Sequence, residues 1–151
     1  MEDLYAVIII EHGSTRRRGF SRVIKRKAYH QGGRKPINAT CGTVHNLPTF
    51  RDAYRRRRCI VPVDSFFEWK AIKGQKAKQP YAIAMKDGSP FGIGGLWENW
   101  KDPTSSEWVR TFAIITTDAN ELVAEIHDRM PLILAPADCS RWLSDQPDLA
   151  T

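Results

Sequence analysis

Cys59-Ile-Val-Pro-Val63 and, two residues on, Phe66-Phe-Glu-Trp-Lys70 decide what kind of fold this chain builds. Both runs are short, β-branched or aromatic, and bounded by polar residues, which is how strands read. A period of two puts Phe67 and Trp69 on one face of the second run and Phe66, Glu68 and Lys70 on the other. Pro62 has no N–H to give a neighbouring strand, so the first run is expected at a sheet edge or a bulge.

Working upstream, Pro48 can open a helix, and Phe50, Ala53, Tyr54 and Arg57 then fall at i, i+3, i+4 and i+7, with arginines on the outer face. Residues 12–36 have no clean period and read as loop or extended chain. Leu4 to Ile10 reads as a buried strand. Downstream, Pro80 to Lys86 and Phe91 to Trp97 flank an Asp87-Gly-Ser-Pro90 turn, the pattern of a hairpin. Trp108 to Thr117 is a long apolar strand. Asp118 is expected to cap a short helix through Glu125, with Glu121 at the capping-box position. Met130 to Leu134 is a further strand, and Pro136 opens a last helix ending near Leu143. Strands dominate, with about three short helices, so the expected class is α+β with an antiparallel or mixed sheet.

A chain of 151 residues, 42% hydrophobic, can bury one core and is short for two, so a single domain over 1–151 is expected. The early apolar run, Tyr5 to Ile10, is far shorter than a membrane span and lacks the flanks of a secretory signal. Cys41, Cys59 and Cys139 have neither CxxC nor metal-type spacing. A reducing, cytoplasmic setting with no membrane partner, no metal and no cofactor is expected.

The net charge of +6 conceals an asymmetry. Residues 16–58 hold 14 of the 23 lysines and arginines against a single acid, Asp52, so this segment carries +13 and the rest of the chain −7. Arginines cluster as Arg16-Arg17-Arg18 and as Arg55-Arg56-Arg57-Arg58. Guanidinium forks suit phosphate oxygens, and such clusters without acidic partners are the footprint of a nucleic-acid binder; a solvated basic face is the plainer alternative.

Two local sequences carry chemistry as well as packing. In Asp64-Ser-Phe-Phe-Glu68-Trp a carboxylate sits among aromatics, where desolvation raises its pKa toward that of a general acid; alternatively Glu68 faces water on the polar side of its strand. In Ile126-His127-Asp128-Arg129-Met130-Pro131, His127 could shuttle protons or cap a helix C-terminus.

In order along the chain, Ile37-Asn38-Ala39, Phe50-Arg51-Asp52-Ala53, Arg57-Arg58-Cys59-Ile60-Val61-Pro62, Phe67-Glu68-Trp69-Lys70, Lys78-Gln79-Pro80, Gly95-Leu96-Trp97, Ile115-Thr116-Thr117 and Ile126-His127-Asp128-Arg129-Met130-Pro131 resemble successive landmarks of one family. It is the SRAP (SOS response-associated peptidase, abasic-site-processing) family, and the resemblance spans residues 34–143. It implies a barrel-like core and abasic sites in single-stranded DNA as partner, in the DNA damage (SOS) response of a nucleoid-associated monomer. In the family, a cysteine directly after the initiator methionine attacks the ring-opened sugar. Its amine forms a Schiff base and its thiol closes a stable DNA–protein crosslink, a lyase-type chemistry. The resemblance makes Glu68 the acid/base, His127 a helper at the sugar and in reversal, and Asn38 the residue that positions amine and adduct. Arg55, Arg56, Arg57, Arg58 and Arg129 become candidate phosphate contacts.

This sequence departs from the pattern in three places. Position 2 is Glu2, so the family's cysteine has no counterpart there. Thr40 and Gly42 stand where the family carries Arg and Glu, and an atypical basic segment, 12–33, replaces a tryptophan-rich strand. The chain is also expected to lack the family's closing C-terminal segment. Impaired catalysis, a remnant that only binds single-stranded DNA, and a thiol peptidase using Cys41 or Cys59 with His127 are the alternative functions.

Overall fold

Residues 58–70 form two strands that belong to different sheets, joined through Asp64 alone. The computed structural model describes residues 6–9 and 36–145. The basic segment 12–35, with Arg16-Arg17-Arg18, and Glu2 lie outside the described residues, as does the chain after 145.

The smaller sheet runs β1 (Ala6–Ile9), β5 (Gln79–Ala84), β4 (Ser65–Lys70), all antiparallel. The larger runs β2 (Asn38–Thr40), β7 (Trp108–Asp118), β6 (Phe91–Lys101), β3 (Arg58–Val63). Only β2 and β7 pair in parallel. The short β8 (Arg129–Pro131) pairs with the end of β7, and β9 (Ile133–Leu134) with the start of β6. The two sheets curl into a half-barrel, and Phe66 of β4 meets Phe91 of β6 edge-on between them, with centroids 6.3 Å apart. The class is α+β with a mixed sheet, and β3, with Pro62, is an edge strand as its proline requires.

Alternation divides the larger sheet into two faces. On one, Ala39, Leu96 and Ile115 are buried under the helices with Val44, Phe50, Ala53 and Trp142. Those helices are α1 (Cys41–Val44), α2 (Arg51–Arg56) and α4 (Cys139–Leu143), the last entered through a 3-10 turn at Pro136–Asp138. Gly94 lets this layer close: a Cβ there would come within 3.3 Å of the Trp142 ring and 3.1 Å of Leu132. Trp142 also donates its Nε1–H to the Cys59 carbonyl at 2.9 Å.

Several elements differ from the sequence expectation. Pro80–Lys86 and Phe91–Trp97 are not a hairpin: β5 pairs with β4 and β1, and the turn at Asp87 carries the chain to the other sheet. Asp87 holds that turn by accepting from the Ser89 N–H and hydroxyl. The true hairpins are β4–β5 and β6–β7. Asp118 does not cap a helix. It ends β7 and binds Arg129, while Asn120 caps α3 (Glu121–Ala124) by accepting from the Val123 N–H at 2.9 Å. β2 and α1 were not foreseen, because strand and helix there are only three and four residues long.

Candidate active site

The second face of the larger sheet looks into the half-barrel. Register places Asn38 beside Ile114 and Thr40 beside Thr116, so Asn38, Thr40 and Thr116 share this inner face with Phe91, Ile93 and Trp97. Across β7, Asp118 is paired with Arg129 and Thr116 with Pro131, which brings Arg129 to the same face. On the smaller sheet, Phe66 points at Phe91, and alternation therefore turns Glu68 inward two residues on, opposite Tyr81.

Glu68 is half-buried, and burial is the main force pushing its carboxyl up. His127, the Trp69 N–H and Lys78 pull it back, and Asp128 adds to the push. Chain segments distant in sequence thus converge on one carboxyl. The Phe67 and Trp69 side chains, by contrast, stand about half exposed on the outer face.

His127 follows α3. Its backbone N–H donates to Val123 O at 2.9 Å, but its ring does not cap the helix. Nδ1 lies 3.0 Å from the Arg129 backbone N–H and 3.0 Å from Asp128 Oδ1. A neutral ring accepts from Arg129 and carries its proton on Nε2; a protonated ring can give its Nδ1–H to Asp128. Arg129 in turn is tied to β7, donating to Asp118 Oδ1 at 2.5 Å and to Thr116 O at 2.6 Å. It pins the turn that carries His127.

The four consecutive arginines separate. Arg58 is a correction to the sequence reading: it is buried, and its guanidinium donates to the carbonyls of Trp142, Tyr54, Arg55 and Ser144. It also lies 5.9 Å from the centroid of the Trp142 ring. Its charge holds the end of α2 against α4 and is not offered to a phosphate. Arg57 binds Glu98 at 2.6 Å. Arg55 and Arg56 are exposed, with no side-chain partner recorded among the described residues. However, α2 packs on the helix face of the sheet, so these two do not border the Asn38–Glu68 cleft. The cations near Glu68 are Lys78, whose charge it feels, and Lys70, on its own strand face. The period-two reading of Phe66, Glu68 and Lys70 contained the second of these; Lys78 stood in the sequence only as part of the Lys78-Gln79-Pro80 landmark, with no role given to it.

Neither cysteine suggested for a peptidase meets His127. Cys41 packs in the helix layer. Cys59 is on the inner face in one row with Gly95, Ile114 and Asn38. Three strand spacings put it about 14 Å from Asn38, and burial pushes its thiol up, away from the reactive thiolate. No group of residues able to hold a metal ion is found among the described residues, and no helix among them is long and apolar enough to cross a membrane.

The model of the family "SOS response associated peptidase (SRAP)" matches residues 14–151. Abasic site processing protein YoqW of Bacillus subtilis is 43% identical over 112 residues, covering 74% of this chain and 49% of the relative. Abasic site processing protein YedK of Escherichia coli is 31% identical over 110 residues, covering 73% and 48%. A crystal structure of a Bacteroides thetaiotaomicron protein superposes with a TM-score of 0.67 at 37% identity, covering 76% of this chain and 49% of that one. A Bordetella bronchiseptica protein gives 0.63 at 31%, covering 71% and 53%. The chain thus spans about half the length of the relatives it matches. With its motifs in family order, its fold shared with these structures and the family model matched over most of its length, this chain belongs to the SOS response associated peptidase (SRAP) family.

Proposed function

We propose that this protein binds single-stranded DNA and acts on its abasic sites by Schiff-base chemistry in the cleft between Asn38, Glu68 and His127. The single observation that carries the reading is the half-buried Glu68, its pKa raised by burial, with His127 acting on it from a separate segment. A carboxyl so desolvated keeps its proton to higher pH than an exposed one and can deliver it. The relatives' name, abasic site processing proteins, supports the same substrate.

The chemistry then runs as follows. An amine nitrogen attacks C1′ of the ring-opened sugar aldehyde and forms a carbinolamine. Glu68 protonates its hydroxyl, water leaves, the protonated C1′=N⁺–H imine forms, and Glu68 is left ionised beside it. His127 exchanges protons with bulk water through Nε2, and Asn38 orients the adduct with its amide. An α-amine, with a usual pKa of about 8, keeps a reactive neutral fraction at pH 7. Arg55 and Arg56 contact phosphates of the strand outside the cleft. The protein works as a monomer where damaged DNA is, in the cytoplasm with the nucleoid.

The exposed Arg55 and Arg56, on the helix side of the larger sheet, favour a second reading, a module that binds single-stranded DNA without covalent chemistry. Borohydride trapping separates the two. The 151-residue chain, mixed with a single-stranded oligonucleotide carrying one abasic site, is expected to give a trapped adduct that the intact strand does not. Binding to both strands with no trapped adduct would leave only the second reading.

A further inference from the structure

The inner face of the larger sheet continues beyond the cleft as an aromatic strip that no other element among the described residues covers. From the row holding Asn38, Gly95 and Ile114, the β6–β7 register steps to Trp97 with Phe112, then Asn99 with Arg110, then Lys101 with Trp108. The smaller sheet covers the opposite end, at Phe66 and Phe91. Phe112 is 43% exposed and Trp108 70% exposed, high values for large apolar rings on an inner face. Between Trp97, Phe112 and the edge residues Cys59 and Val61 lies a groove of about 410 Å³. The Arg110 guanidinium lies 4.5 Å from the centroid of the Trp97 ring and is held by an Nε–H donated to Asn99 at 3.1 Å. The strip's charged residues are Arg110 and Lys101. The nearest strand acid, Glu98, points to the other face and is bound by Arg57.

Flat apolar surfaces with fixed cations and no carboxylate fit a flexible polyanion that carries planar groups. We propose that the strip is a stacking platform for the unpaired bases flanking the abasic position, and this rests on the function proposed above. Phe112 is two residues from Ile114, about 7 Å along the strand, so the Trp97–Phe112 pair takes the base nearest the cleft. Trp108 lies about 14 Å farther on and serves a different base. The Arg110 guanidinium stacks on the indole with its terminal nitrogens left for the connecting phosphate. The cleft would then read the missing base, and the strip the bases that remain.

The test compares two single strands of equal length, each with a central abasic site: one with thymines on both sides, the other with its neighbouring positions also abasic. For the full chain, Phe112→Ala and Trp97→Ala are expected to weaken binding to the thymine strand by about 5-fold or more and to leave the base-free strand nearly unchanged. Phe112→Trp is expected to restore the loss, and an unchanged thermal midpoint for Phe112→Ala, or for Arg110→Ala as a second variant, excludes misfolding. Equal losses on both strands, or none on either, would overturn the stacking role. So would sedimentation showing a wild-type dimer that Phe112→Ala dissolves, since the strip would then be a contact between copies. Failure of the abasic reading looks different: the wild type would bind thymine strands with and without the abasic site equally well, while the effect of Phe112→Ala persisted.

Discussion

Glu68 on β4 feels the charge of His127 in the turn before β8: burial lifts the carboxyl's pKa, and the imidazole is the charge that most lowers it again. Glu68 belongs to the smaller sheet and His127 to a turn that leads into the larger one, distant in sequence, and the half-barrel sets them together.

The raised pKa has a stability consequence. A carboxyl whose folded pKa exceeds its unfolded value favours folding most below the unfolded pKa, about 4.3, and that contribution is lost as pH rises through the folded pKa. At pH 8 the ionised Glu68 therefore weakens the fold. Glu68→Gln should melt above the wild type at pH 8, and this advantage should disappear at pH 4. Thermal unfolding at the two pH values checks the sign.

Arg58 and Arg55, three residues apart, should behave oppositely. Removing the Arg58 guanidinium leaves buried carbonyls of α2 and α4 without donors. Arg58→Ala is expected to cost about 3 kcal/mol in denaturant unfolding. Exposed Arg55→Ala should stay within about 0.5 kcal/mol.

For DNA affinity the roles reverse. Arg55→Ala with Arg56→Ala should lower single-strand affinity and flatten the log–log salt dependence by about 1.4, the slope of two lost phosphate contacts. Adduct formation at saturating DNA should be unchanged, because α2 lies on the helix face, away from Glu68. Titrations over a salt series, with trapping at saturation, measure both.

Asn120 supports His127 at one remove, by capping α3 just ahead of it. Asn120→Ala should cost about 1 kcal/mol, and Asn120→Asp, which keeps the acceptor, much less. If the turn also loosens, the histidine ring resonance should shift in the alanine variant alone.

Much of this was legible in the sequence. The alternation put Glu68 on one face with Phe66 and Lys70, leaving open whether that face met water, and Pro62 marked an edge strand. The helix spacing from Phe50 found α2, and the ordered motifs from Asn38 to Pro131 carried the family. What could not be read depends on long-range pairing. No local pattern tells that β5 leaves β6 for β4, since both partners are apolar strands flanking the same turn. Nor does it tell that β2 joins β7 in parallel. The arginine cluster read as one surface, yet half a turn of α2 followed by the start of β3 sends Arg55 and Arg56 to solvent and Arg58 into the core. Asp118 had a capping residue's chemistry, but the strand runs on through it and the cap falls two residues later, to Asn120.

The most direct measurement is the rate of borohydride-trapped adduct formation on abasic single-stranded DNA, compared between the wild type and Glu68→Gln at saturating DNA. With Glu68 delivering the proton that releases water, the variant should form adduct about 10²-fold more slowly at unchanged DNA affinity. Equal rates for the two proteins would contradict the account.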